Sequence, residues 1–231
     1  MLTAPQNPAD GLSAVRERIT IAARAAGRDP GSITLVGVCK SQPVERVKSA
    51  LAAGLADLGE NYVQEARTHF EALAEIGFRR HLIGALQTNK TRDAATLFDW
   101  VHTVDRIRVA ERLSAQRPES LPPLAVCIQV QLGGESTKSG VAPQALAALA
   151  GEVASLPRLA LRGLMALPPT EADPVRQRHW FAELRRLFEG LNAAGHRLDT
   201  LSMGMSGDFE AAIAEGATHV RIGTSIFGAR P

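Results

Sequence analysis

The 231-residue chain has few cysteines, few lysines and little charge imbalance. Its two cysteines, Cys39 and Cys127, share no C-x-x-C or Cys/His spacing, which argues against a disulfide framework or a structural zinc site. Each sits in or ends an apolar run, as a buried free thiol does. The 26 basic and 24 acidic residues nearly cancel, leaving +2, and no run of like charge stands out. Composition therefore offers no nucleic-acid surface and no membrane surface. No apolar segment approaches the length of a membrane span, and the N-terminus MLTAPQNPADG lacks the apolar stretch of a signal peptide. A soluble, cytoplasmic protein is expected. There is no G-x-G-x-x-G after the first strand-like run and no Walker A sequence, which weakens the case for a nucleotide site.

What is present is a core-forming composition, 45% hydrophobic, arranged as an alternation of short apolar runs and longer helical patterns. An opening helix fits residues 8–27, stopped by Gly27 and Asp29-Pro30. Strands are then expected over 33–39, 55–61, 79–85, 99–104, 123–132, 159–167, 199–204 and 218–224. Each is followed by a helix or a short helical turn. Near-continuous apolar strands suit a parallel sheet buried on both faces. Eight such units predict a single (β/α)8 barrel occupying 1–231, with residues 1–8 as a flexible tail. An open doubly wound sheet is the alternative that periodicity leaves standing.

In such a barrel, functional groups gather at the C-terminal ends of the strands. Only four lysines occur, Lys40, Lys48, Lys90 and Lys138, against 22 arginines, and Lys40 ends the first apolar run, ITLVGVCK. An amine can form a Schiff base where a guanidinium cannot. After strands seven and eight, where barrels commonly hold phosphate, stand Met203-Gly204-Met205-Ser206 and Arg221-Ile222-Gly223-Thr224. Ser206 before Gly207 can cap a helix, and Gly223-Thr224-Ser225 offers bare backbone and two hydroxyls. A lysine across the mouth from a phosphate cradle points to pyridoxal phosphate, anchored by its phosphate and held through its aldehyde.

The segments VGVCK, LGENYVQEA, HLIGALQTNK, FDWVHTVDR, STKSG, LRGLMALP and LSMGMSGDFEAAIAEGATHVRIGTSIFGAR together resemble the pyridoxal-phosphate homeostasis protein family over about residues 10–230. That family is similar to the N-terminal barrel domain of alanine racemase. The resemblance implies that Lys40 forms the internal aldimine with pyridoxal phosphate and that Ser206, Gly223 and Thr224 hold the phosphate. It implies that Asn61 lies near the cofactor ring and that Arg221 faces the pyridine nitrogen. It implies no metal and a monomer. Cys39 departs from the serine common in the family, but strand alternation turns it away from Lys40.

A guanidinium at Arg221 disfavours a protonated ring, so carbanion stabilisation is expected to be weak. An arginine paired with a barrel carboxylate such as Glu60 is the plainer reading of that residue. Racemisation needs proton donors on both faces of the substrate carbon. The alanine-racemase family supplies a tyrosine from a second domain, which is not expected here, and Tyr62, the one tyrosine, is expected to pack against the barrel. The leading expectation is a non-enzymatic carrier that limits free pyridoxal phosphate and delivers it to apoenzymes. An amino-acid racemase or related lyase, and a barrel enzyme acting on a sugar phosphate, are the alternatives. His81 and His102 read as satisfied core histidines, and Asp208 as a helix-dipole partner. Lys138 is a candidate second acceptor during transfer. Gln87, Asn89 and Lys90 belong to the family pattern without an evident physical role.

Overall fold

The computed structural model describes residues 7–133, 139–169, 171 and 173–229. Eight parallel strands close into a barrel in sequence order: β1 (Thr34–Val38), β2 (Asp57–Glu60), β3 (Arg79–Leu82), β4 (Trp100–Val104), β5 (Leu124–Val130), β6 (Leu159–Ala166), β7 (Thr200–Ser202) and β8 (His219–Ile222), with β8 pairing back to β1. The open-sheet alternative is thereby excluded. All eight expected strands are present, each within its expected span. They are shorter than expected chiefly at their C-terminal ends, because residues such as Asn61, Gly84 and Gly204 leave the ladder to build the mouth. Every residue of β5 is buried, as a strand covered on both faces requires.

Helices α2 (Val44–Ala52), α3 (Val63–Ala72), α4 (Thr91–Leu97), α5 (Ile107–Gln116), α6 (Pro143–Ala154), α7 (Pro174–Ala193), α8 (Phe209–Ala214) and α9 (Thr224–Phe227) follow the strands in turn. An additional helix, α1 (Pro8–Ala25), precedes β1 and takes in Pro8, the last residue of the expected tail. Asn7 caps it by accepting from the Ala9 N–H at 3.1 Å. Its apolar stripe, Leu12, Val15, Ile19 and Ala23, repeats at three and four residues and is buried. This stripe has a specific task. The last two helices have only six and four residues, and α1 packs against both and against α2, covering the seam where β8 meets β1. Each of its three larger apolar side chains contributes about 1.5–3 kcal/mol by leaving water. Arginines tie α1 and the segment after it into neighbouring helix ends: Arg16 donates to the Ala53 and Gly54 carbonyls at 3.1 and 2.7 Å, and Arg28 to Ile213 at 2.9 Å.

Among the described residues no helix is long and apolar enough to cross a membrane.

Candidate functional site

The C-terminal ends of the strands converge on a cavity of about 360 Å3. Val38, Ile83 and Leu167 form apolar walls, and Asn61, Ser206, Gly207, Arg221, Gly223 and Thr224 supply polar groups and bare backbone. Five of the six expected site residues therefore meet in one place, from β8 and from the loops after β2, β7 and β8. A larger groove of about 490 Å3 runs between α1 and α8, but it draws no residue from a strand end and holds none of the expected groups.

Lys40, the sixth, is not among the residues that line the cavity. It lies two residues beyond Val38, and the alternation that points Val38 into the mouth points Lys40 the same way. Its side chain is half-buried, and the ammonium sits 4.9 Å from the centre of the Tyr62 ring. The turn after it is strained: Ser41 has φ of 58°, unusual for a residue with a side chain. The Gln42 N–H to Cys39 carbonyl bond at 3.0 Å closes that turn and sets the chain direction at Lys40. Tyr62 corrects an expectation. It caps α3 without packing inward, is 50% exposed, and serves as the surface on which Lys40 rests.

Arg221 is buried in β8 and reaches the cavity floor. It is not paired with Glu60. Its Nη1 donates to Ser202 Oγ at 2.7 Å and its Nη2 to the Ala166 carbonyl at 2.9 Å. Burial pulls its pKa down to about 10, with Asp208 opposing the fall. Two of its five N–H groups are accounted for by those bonds, leaving donors for a ligand. Asn61 Oδ1 is a buried acceptor with no hydrogen-bond partner among the described residues. Such an atom costs about 1–3 kcal/mol unless something binds it.

The two loops are held by their neighbours. Gly204 has φ of +92°, and a Cβ there would approach the Ala212 methyl to 2.7 Å, so glycine is required for the turn. Its carbonyl accepts from the Arg221 N–H at 3.0 Å, tying the β7 loop to β8. The helix cap is Asp208, not Ser206 as the sequence suggested. The Asp208 carboxylate accepts from the Met205 N–H at 2.6 Å, looping the chain so that Ser206 and Gly207 face the cavity. Burial raises the Asp208 pKa. After β8, the Ile226 and Phe227 N–H groups both donate to the Gly223 carbonyl, so the Thr224 and Ser225 N–H groups lie outside that turn's own bonds.

Cys39 faces away from the mouth, as alternation requires. It is fully buried and donates to Glu60 Oε1 at 3.0 Å, where His69 Nδ1 also arrives at 2.5 Å. Sequence spacing had suggested nothing of this cluster, which the fold assembles behind Lys40 from three elements. His81 and His102 are satisfied core histidines, bonded to each other at 3.0 Å. Gln87 starts, and Asn89 and Lys90 form, a 3-10 turn leading into α4; nothing in the structure explains their side chains. Lys138 lies outside the described residues. Sequence reasoning missed Ser202, which holds Arg221, and the Tyr62 support. For Ser202 a weak signal existed: a hydroxyl at the end of β7, four residues before Ser206.

A closed barrel with a lysine after β1 and a glycine–serine cradle after β7 and β8 defines the alanine-racemase N-terminal type of domain. The family model for "Alanine racemase, N-terminal domain" matches residues 11–231. The pyridoxal phosphate homeostasis protein of Pseudomonas aeruginosa is 54% identical over 222 residues, covering 96% of this chain and 95% of that one. The protein of the same name from Escherichia coli K12 is 50% identical over 225 residues, covering 96% of each. The chain belongs to the pyridoxal phosphate homeostasis protein family. Among solved structures, PipY of Synechococcus elongatus with PLP bound superposes with a TM-score of 0.82 at 36% identity, over 93% of this chain and all of that one. Alanine racemase of Clostridium difficile superposes with a TM-score of 0.74 at 16% identity, over 96% of this chain and 57% of the racemase, which is a likeness of fold.

Proposed function

We propose that this chain binds pyridoxal phosphate at the barrel mouth, attached through Lys40, and works by holding and releasing it rather than by turning over a substrate. The observation that carries this reading is the single cavity in which Asn61, Ser206, Arg221, Gly223 and Thr224 meet, with Lys40 two residues beyond its wall residue Val38. The relatives' name and the PLP-bound PipY structure support it.

The residues fit that group. Asn61 offers an orphaned buried acceptor beside the ring position. Gly223 leaves its backbone bare; a Cβ there would press to 3.2 Å of the Val38 carbonyl. Arg221 holds unused N–H donors at the floor. When bound, pyridoxal phosphate supplies an aldehyde that condenses reversibly with an amine, releasing one water.

The chain's own residues bias the outcome toward storage. Arg221 would donate to the ring nitrogen and could not accept its proton, and its charge would disfavour a pyridinium beside it. A carboxylate there would do the opposite. Ser206, Gly223 and Thr224 would hold the phosphate with backbone and hydroxyl groups. Tyr62 lies against the Lys40 ammonium itself, so these two proton-bearing groups do not flank a shared substrate carbon. Met205 and Thr224 are exposed at the rim, which gives water and competing amines access to Lys40. Such access suits delivery to apoenzymes by exchange. A monomer in the cytoplasm is the form in which this reading places the chain.

The test is reconstitution with pyridoxal phosphate, followed by borohydride reduction and peptide mass mapping, with transfer to an apoenzyme and racemisation of L-alanine measured in parallel. Label on Lys40, reactivation of the apoenzyme and no turnover are expected. A colourless protein that cannot be reconstituted and behaves like Lys40→Ala refutes cofactor binding. Rapid racemisation refutes the carrier reading.

A further inference from the structure

A line of polar side chains runs through the barrel from its N-terminal end to the floor of the mouth cavity. At the N-terminal end, Asp57 lies in a cleft of about 440 Å3 and is clamped by the exposed Arg79, whose Nε and Nη2 donate to its two oxygens at 2.5 and 2.7 Å. Inside, His81 Nε2 stands 2.9 Å from Asp57 Oδ1, and His81 Nδ1 stands 3.0 Å from His102 Nε2. His102 Nδ1 is 2.7 Å from Ser202 Oγ, which accepts from Arg221 Nη1 at 2.7 Å. β4 and β7 are not neighbours in the sheet, so the contact between His102 and Ser202 crosses the barrel lumen. His81, His102 and Ser202 are fully buried.

Elementary bonding rules orient every proton in this line. The Asp57 carboxylate only accepts, so His81 Nε2 carries a hydrogen. A neutral imidazole has one donor and one acceptor, so His81 Nδ1 accepts and His102 Nε2 donates to it. His102 Nδ1 must then accept, and the hydrogen it receives is the Ser202 hydroxyl's. That hydrogen being spent, Ser202 presents only lone pairs to Arg221. The opposite direction would require an imidazolium in the lumen, and burial lowers the pKa of both His81 and His102. Trp100 and His219 pack around the two rings as walls.

We propose that Asp57, His81, His102 and Ser202 form a one-way hydrogen-bonded column that fixes the Arg221 guanidinium, which makes Ser202 and His102 positioning residues for the nitrogen of a bound pyridine ring. The cofactor half of this statement rests on the reading above; the column itself does not. Without the Ser202 oxygen, Arg221 Nη1 is left buried beside no acceptor and must turn toward another, taking the remaining N–H donors off the ring.

The experiment has two arms. In the first, long-range 1H–15N correlation on the protein without added cofactor reads the histidine tautomers between pH 6 and 8. His81 and His102 are each expected as neutral Nε2–H forms. Either ring appearing as the Nδ1–H tautomer or as an imidazolium overturns the column. In the second, 15N-labelled pyridoxal phosphate is bound to wild type, Ser202→Ala and Ser202→Thr. Ser202→Ala should shift the cofactor ring-nitrogen resonance, disturb the His102 Nδ1 signal and weaken binding about tenfold, the scale of a lost hydrogen bond to a charged group. Ser202→Thr, which restores the hydroxyl, should recover both resonances, whatever its methyl does to the melting temperature. Wild-type resonances and affinity in Ser202→Ala overturn the positioning role. A wild-type protein that binds no pyridoxal phosphate overturns the functional reading and the positioning role with it, while the tautomers still decide the column.

Discussion

Gly84 is the position at which a single methyl group should reach the site without touching it. A Cβ at Gly84 would fall 2.2 Å from the Asn61 carbonyl oxygen and 2.8 Å from its carbonyl carbon and Cα, below the 3.0 Å that such contacts observe. Neither side can yield freely. The Gly84 carbonyl accepts from Thr103 Oγ1 at 2.8 Å, and the Ile83 N–H donates to the Glu60 carbonyl at 2.9 Å. Gly84→Ala must therefore push the Asn61 backbone away by about 0.8 Å. Overpacking of this kind costs about 1–3 kcal/mol, and at about 2–4 °C per kcal/mol for a chain of this length the melting temperature should fall by about 2–12 °C. A displacement of that size also stretches a good hydrogen bond past its useful range, so a ligand bonded to Asn61 loses about 1 kcal/mol, or about fivefold in affinity. The assay is thermal unfolding together with titration by pyridoxal phosphate followed by visible absorbance. Gly151→Ala, in α6 with nothing within 4 Å of the added Cβ, is the control and should be stabilised by about 0.5–1 kcal/mol with unchanged binding. If Gly84→Ala melts and binds as wild type does, the close approach of the β2 and β3 loops is not what shapes the site.

Lys40→Ala should abolish borohydride-fixed label while changing the melting temperature by no more than about 2 °C, because the side chain is only half-buried and makes one ring contact; mass mapping and thermal unfolding check it. Burial alone would raise the Asp57 carboxyl, but hydrogen bonds from Arg79 and His81 outweigh it and hold the pKa at about 2. That depressed value gives about 2 kcal/mol of stability that is present above pH 4 and lost as pH falls through 2, so unfolding in urea should show a decline over that window that Asp57→Asn lacks. Burial also pushes the Cys39 thiol well up and the Cys127 thiol up to about 12. Neither should react with a thiol reagent at pH 8 until denaturant is added, which a colorimetric thiol count reads.

The barrel was legible because its strands are apolar runs separated by helical patterns, and that signal is local. The strand ends were not, because the apolar pattern runs on past the last ladder bond, and only the closing geometry shows where the chain turns away, as at Lys40 and at Gly223, the cap of α9. Five of the six expected residues could be placed together from sequence because each sits at or just after the end of a strand, and those five line one cavity. What the sequence could not show is who meets whom across the lumen. Alternation assigns Asp57, His81, His102 and Arg221 to the inner face, but the partner of His102 lies 100 residues away on a strand that is not adjacent. The plainer alternative for Arg221, a pair with Glu60, fails for that reason: Glu60 belongs to the outer face of β2 and its Oε1 meets Cys39 and His69.

The same division between faces bears on why this barrel would keep a reactive aldehyde idle. A carboxylate at the β8 position would need only itself to hold a ring proton. Arg221 instead requires acceptors, and the chain supplies a hydroxyl and a backbone carbonyl while putting the nearest fixed anion of the column, Asp57, at the far end of two histidines. The negative charge that could turn the ring into an electron sink is thus delivered as a polarised row of neutral groups, which orients the guanidinium without offering a site for the ring's proton. At the other side of the mouth, Lys40 rests on an exposed tyrosine rather than in a closed pocket. On the carrier reading, a floor that offers no proton acceptor below and an accessible amine above would favour reversible attachment over chemistry on the attached group. Replacing Arg221 alone would not convert the one behaviour into the other, because a carboxylate at that position would face the Ser202 lone pairs and the Ala166 carbonyl with nothing to donate.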